Sequence, residues 1–172
     1  MKNIQFFTEQ TKFVVKNKIL IREWLLQIVR RHKKAVGEIN IIFCSDDYLL
    51  KLNEEYLGHD TFTDIITFDF SSSGFAGEFV EDNIISGDIF ISVDRMKENA
   101  KLFHVEQSAE MHRLIVHGVL HLLGYKDDTP KNKKVMTEQE NIALEELCKH
   151  MSSRAQRGNS GRMGLDPSLR SG

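Results

Sequence analysis

The chain is poor in cysteine, has no apolar run near the ~20 residues that span a bilayer, and carries no excess of positive charge. Each shortage removes a class of protein. Cys44 and Cys148 stand far apart with no second cysteine beside either, which excludes a CxxC zinc knuckle or a disulfide framework and leaves two reduced, packed thiols. The polar start Met1-Lys2-Asn3 is not followed by the apolar core of a signal peptide, so a cytoplasmic protein without membrane contact is expected. A formal charge of −2 gives no global attraction to nucleic acid, so any affinity for phosphate must come from a local patch. Residues 152–172 hold Arg154, Arg157, Arg162 and Arg170 against Asp166, which makes the rest of the chain more acidic still.

What is present is an ordinary globule: 172 residues, 41% hydrophobic and 28% charged, enough for one domain with a real core. Residues 3–8 read as a short strand. Ile21, Trp24, Leu25, Ile28 and Val29 recur at three and four and mark an amphipathic helix from about Asn17 to His32. It ends in Arg30, Arg31, His32, Lys33 and Lys34, cations that the helix dipole favours at a C-terminus and that also form a candidate nucleic-acid patch. Gly37 opens a strand, Glu38 to Cys44, and Ser45-Asp46 caps a helix running to about Tyr56. Further strands are expected at Thr63–Phe70 and Ile84–Val93, joined through a Ser- and Gly-rich loop or hairpin, Ser71 to Asp82. Helices follow at about Val93–Leu102, Glu106–Leu123 and Lys131–His150, the last with Val135, Met136, Ile142, Leu144 and Leu147 as apolar positions and Glu138, Glu140, Glu145 and Glu146 as a solvated face. The pattern predicts an α+β fold: one small mixed sheet with helices packed on it, a single domain over 1–151, and a disordered tail or cloning remnant over 152–172.

Within this frame the run Leu114 to Asp127 carries the chemistry. His117 and His121 lie four apart in an apolar helix, so both imidazoles leave one face, separated by about 6 Å of rise. Gly124 tolerates the left-handed geometry that ends a helix and folds the chain back, which can bring Asp127 round to the same point; Asp128 is the rival. Two nitrogens and one oxygen would hold one divalent ion, zinc first, and leave a position open for water, as in a catalytic zincin-like site. Manganese and other oxygen-preferring ions are favoured more by such a set than by three histidines. The alternative is a buried helix whose histidines are hydrogen-bonded core residues.

Leu52-Asn53-x-x-Tyr56, Thr63-Asp64-Ile65-Ile66-Thr67-Phe68, Gly87-Asp88-Ile89-x-Ile91-Ser92, His117-Gly118-x-Leu120-His121-Leu122-x-Gly124-Tyr125 and Met136-x-x-x-Glu140 together resemble the bacterial YbeY endoribonuclease, or rRNA maturation factor, family. The resemblance covers most of residues 40–147 and implies a zinc-dependent endoribonuclease of single-stranded RNA. It also implies work in small-subunit rRNA 3′-end maturation and ribosome quality control, with the small ribosomal subunit and assembly factors as partners. Two positions depart from the family pattern. Asp127 stands where the family usually has a third histidine, and Leu57 stands where an arginine commonly follows the tyrosine of Asn-x-x-Tyr. Asp64 and Asp88 are candidate bases or orienters of a metal-bound water, and each could equally be a strand-end hydrogen-bonder. Arg30, Arg31, Lys33 and Lys34 are the candidate RNA contacts. A metallopeptidase is disfavoured because the glutamate that serves as base in HExxH enzymes is here Gly118. A non-catalytic ribosome-assembly factor with a structural metal is the other reading.

Overall fold

Alternation between strand and helix continues to the middle of the chain and then gives way to helices. The computed structural model describes residues 3–71 and 83–160, with side chains through 158. The elements are β1 (Ile4–Glu9), α1 (Lys18–Arg31), β2 (Ala35–Cys44), α2 (Asp46–Leu57), β3 (Ile65–Asp69), β4 (Ile84–Ser92), α3 (Val93–Leu102), α4 (Gln107–Leu122) and α5 (Pro130–Ser160). The strands form a mixed sheet in the order β1-β2-β4-β3, in which β3 alone runs antiparallel, against β4. The α+β fold with one small mixed sheet is therefore as the patterning predicts.

Strand alternation divides the sheet into two faces. Ile39, Ile41 and Phe43 of β2 and Ile85, Ile89 and Ile91 of β4 enter the main core with Ile21, Trp24, Leu25 and Ile28 of α1 and Ile115 and Val119 of α4. The other face carries Cys44, Ile66, Phe68 and Phe90 under Tyr48, Leu49 and Leu52 of α2. Burial in this layer pushes the Cys44 thiol up to about 12, with nearby acidic groups adding to the effect, so it is an inert packed thiol. Two glycines set how close α4 lies to the sheet. A Cβ at Gly118 would sit 2.6 Å from Ile89 Cγ2, and one at Gly87 would sit 2.3 Å from the Phe68 carbonyl and 2.6 Å from Leu122 Cδ2.

The strands and helices differ from expectation at three ends. β2 starts at Ala35, because Ala35 and Val36 pair with Ile84 and Ile85 before a register shift that takes up Gly37 and Glu38. Periodicity sees only the regular part of such a bulged strand. β3 loses Thr63 and Asp64: the Thr63 hydroxyl donates to the Ile65 carbonyl, and the Asp64 carboxylate accepts from Asn99 of α3. α5 runs on to Ser160 instead of stopping at His150, so residues 152–160 are helical, not part of a disordered tail. Extending an existing helix fixes one residue per hydrogen bond, without the cost of a new nucleus. The Ser152 and Ser153 hydroxyls donate back to the carbonyls of Cys148 and Lys149, and Arg154 reaches Glu23 of α1 at 4.0 Å. The expected tail from 161 and the expected loop from 72 to 82 lie outside the described residues.

Candidate metal centre

α4 is apolar on the side that meets the sheet and carries Arg113, His117 and His121, each four residues from the next, along the side that faces a cleft. The cleft has a volume of about 420 Å³. Its other wall is Thr63, Asp64, Ile65 and Thr67, on β3 and its approach. β3 and α4 both pack against β4, which holds the two walls together.

The turn after α4 completes the site. Gly124, at φ +97°, donates its N–H to the His121 carbonyl, and Tyr125 donates to the Leu120 carbonyl, the paired bonds of a Schellman stop. The chain reverses there and brings Asp127 back beside the helix. One donor atom each from His117, His121 and Asp127 lies within 4.8 Å of the other two. Asp127 Oδ2 is 3.5 Å from His117 Nε2, and Oδ1 is 3.8 Å from His121 Nε2. Asp128 points away into its own loop, accepting from Asn132 Nδ2 at 2.7 Å, which with the local backbone holds its carboxyl below the usual range.

The proton positions on the two rings follow from their outer partners. His117 Nδ1 lies 2.5 Å from Glu140 Oε1 and His121 Nδ1 lies 3.0 Å from the Tyr125 carbonyl, both acceptors, so each Nδ1 donates outward and each Nε2 turns inward. The two Nε2 atoms, 3.0 Å apart, then face one another with a carboxylate beside them. Burial and the neighbouring His117 push the His121 pKa down, against the pull of Asp127, so a proton is a poor bridge between the rings. A divalent cation satisfies both nitrogens and the carboxylate. The orientation of each ring by an outer acceptor is what zinc-binding histidines require.

Glu140 is the residue that composition misassigns. It is 6% exposed, not part of a solvated face. The buried stripe of α5 is Met136, Glu140, Ala143 and Leu147, at spacings of four, three and four, whereas Val135 and Ile142 are exposed. Glu140 is thus legible as a core position of the wrong chemistry, which is a signal in itself. Arg113 is a second residue that local pattern does not single out, although it continues the four-residue spacing of the histidines toward the N-terminus of α4. Its Nε and Nη2 donate to the two oxygens of Glu110 at 2.9 and 2.6 Å, and this bonding raises its pKa further. Glu110 is 2% exposed and also accepts from Asn99, which in turn donates to Asp64 at 3.0 Å.

The other candidates divide between the cleft and elsewhere. Asp64 lines the cleft, 4.0 Å from Arg113 Nη2. Asp88 does not: it lies on the sheet face away from α4, since Ile89 and Gly87 take the α4 side, and it accepts from Asn40 at 2.9 Å. Leu57 ends α2, exposed, and is not among the residues that line the cleft. Asn53, in the same motif, holds the approach to Thr63 by donating to the Thr61 carbonyl at 2.6 Å. The basic end of α1 borders the turn, not the cleft. His32 Nε2 lies 3.0 Å from the Tyr125 hydroxyl, and Lys34 lines a hollow with Gly124 and Tyr125. Arg30 and Lys33 are exposed, and Arg31 pairs with Glu146 of α5.

Known proteins are similar to this chain in sequence and in fold. Residues 3–148 match the family model described as Endoribonuclease YbeY. The chain is 46% identical over 143 residues to the endoribonuclease YbeY of Cytophaga hutchinsonii, covering 83% of this chain and 94% of that one. It is 44% identical over 140 residues to that of Flavobacterium johnsoniae, covering 80% and 94%. A solution structure of a Thermotoga maritima protein superposes with a TM-score of 0.58 at 26% identity, covering 97% of this chain and 99% of that one.

Proposed function

The chain belongs to the YbeY endoribonuclease family, and from that premise we propose that it is a zinc-dependent endoribonuclease of single-stranded RNA. Its setting is small-subunit rRNA 3′-end maturation and ribosome quality control in the cytoplasm, with the small ribosomal subunit and its assembly factors as partners. The observation that carries the reading is the pair of inward-facing Nε2 atoms with Asp127 beside them in an open cleft. His117, His121 and Asp127 would hold the ion, with zinc as the primary ion and manganese tolerated. When bound, such an ion activates water and polarises a phosphoryl oxygen.

The chain's own residues do the rest. Glu140 and the Tyr125 carbonyl fix the two rings with Nε2 aimed inward. Asp64, across the cleft and steadied by Asn99, is placed to accept a proton from the attacking oxygen, whether a water or the RNA 2′-hydroxyl. Asp88, bonded on the far face, has no such access. The exposed cations Arg30 and Lys33, with Arg31 and Lys34, form a steering patch for RNA on the adjoining surface. A peptidase reading loses further ground, because the position after His117 faces Ile89 of the sheet and leaves no room there for a glutamate.

The test is cleavage of single-stranded and duplex RNA by purified protein, before and after chelation, with casein as a protease control. Loss of single-strand cleavage on chelation with an unchanged circular dichroism spectrum supports the enzyme. Unfolding on chelation with no cleavage beforehand favours a structural metal in an assembly factor.

A further inference from the structure

Arg113 and Thr67 face each other across the cleft, and both have polar capacity that the fold leaves unspent. Arg113 commits Nε and Nη2 to Glu110, but Nη1 stands 3.8 Å from Glu140 Oε2, too far for a hydrogen bond. Among the described residues that line the cleft, Arg113 is the sole permanent cation. Its anchor is stiff, because a two-point bond to a buried carboxylate fixes the guanidinium plane. Thr67 comes from the opposite wall, and its Oγ1 is buried without a hydrogen-bond partner. A buried hydroxyl left unpaired costs on the order of 1–3 kcal/mol, so its place in a ligand cleft calls for a ligand.

We propose that Arg113 Nη1 and Thr67 Oγ1 are the two donors that hold the non-bridging oxygens of the phosphodiester beside His117, His121 and Asp127. Both are hydrogen-bond donors, as a phosphodiester requires. The surrounding carboxylates, Glu110, Glu140, Asp64 and Asp127, repel an anion, so a fixed cation is needed to seat one there. Arg113 and Thr67 act as positioning residues for the attack, and the inference rests on the nuclease reading.

Binding of a fluorescently labelled oligouridylate to metal-free protein separates this role from metal loading. Arg113→Gln alone strands a buried Glu110, so the informative variant is the double Arg113→Gln, Glu110→Gln, which removes both charges together. Thr67→Val keeps the shape and deletes only the hydroxyl. The double variant should bind roughly tenfold more weakly, with a salt slope shallower by about 0.7. Thr67→Val should lose about fivefold in affinity, with metal content at the parent's level and a thermal midpoint at or above the parent's, since the unpaired hydroxyl is removed. Parental affinity and parental salt slope in both variants would overturn the proposal alone, provided the parent cleaves RNA. A parent that neither binds nor cleaves the oligonucleotide would overturn the nuclease reading and this inference with it.

Discussion

The metal cleft and the basic end of α1 are the two regions offered to an anionic substrate, and they are built in opposite ways. In the cleft one cation, Arg113, is pinned by a buried carboxylate, and each histidine is pinned by an acceptor behind it. At the end of α1 four cations crowd a short stretch, with Arg30 and Lys33 exposed and Arg31 in a partly exposed pair with Glu146. Fixed groups can hold reacting atoms in place, since their ordering cost is met during folding. Mobile surface charges raise the local concentration of a polyanion but impose no geometry on it. On the proposed function, the first region supports chemistry and the second supports encounter.

Changes to the cleft should therefore have the larger effects. His117→Ala and His121→Ala each leave two protein donors, so metal content in the purified protein should fall to background and RNA cleavage with it. Metal content equal to the parent's in both variants would remove the site. Glu140→Gln breaks the carboxylate behind His117 and should weaken zinc affinity about 10–100-fold, measured by competition with a chelating dye. Unchanged affinity would mean that the ring does not depend on its buried partner.

The same helix has a third histidine that separates structure from chemistry. His112 is packed edge-on to Trp24 with ring centroids 6.0 Å apart, and burial lowers its pKa from 6.5 to about 4. The unfolded chain thus takes up this proton at higher pH than the folded one. The stability contributed by keeping the ring neutral is complete above about pH 6.5 and is lost as pH falls toward 4. Urea midpoints over that window should fall by the equivalent of a few kcal/mol, and His112→Leu should flatten the decline. An equally steep decline in the variant would assign the acid sensitivity to other groups.

The smallest effect belongs to the surface patch. Arg30→Gln with Lys33→Gln should weaken RNA binding only severalfold, with a shallower salt dependence and an unchanged rate at saturating substrate. An unchanged salt slope would reduce the patch to a helix end favoured by its dipole.

Local periodicity made much of this legible. The four-residue spacing of His117 and His121, the Gly124 stop and the position of Asp127 are all readable within a single turn and its cap. The residues that needed the fold are those whose partners come from distant segments. Glu140 sits in a helix rich in acids, and only the buried stripe through Met136, Ala143 and Leu147 sets it apart. Asp64 and Asp88 read alike in sequence, since each lies at a strand rich in isoleucine. Which of them meets α4 depends on strand parity and on which sheet face the helix covers, a long-range choice. Arg113 shares the histidines' spacing, yet its worth depends on Glu110 being buried behind it, which charge patterning does not reveal.

On the proposed function three residues, not two, form the metal centre, with Asp127 as the third. The most direct measurement is zinc affinity, together with cleavage of single-stranded RNA, for Asp127→Ala and Asp127→His. Asp127→Ala should lose metal affinity and cleavage together. Asp127→His should bind zinc at least as tightly as the parent, tolerate manganese less well, and still cut RNA. An Asp127→Ala protein that holds zinc and cleaves RNA as the parent does would mean that the third ligand lies elsewhere.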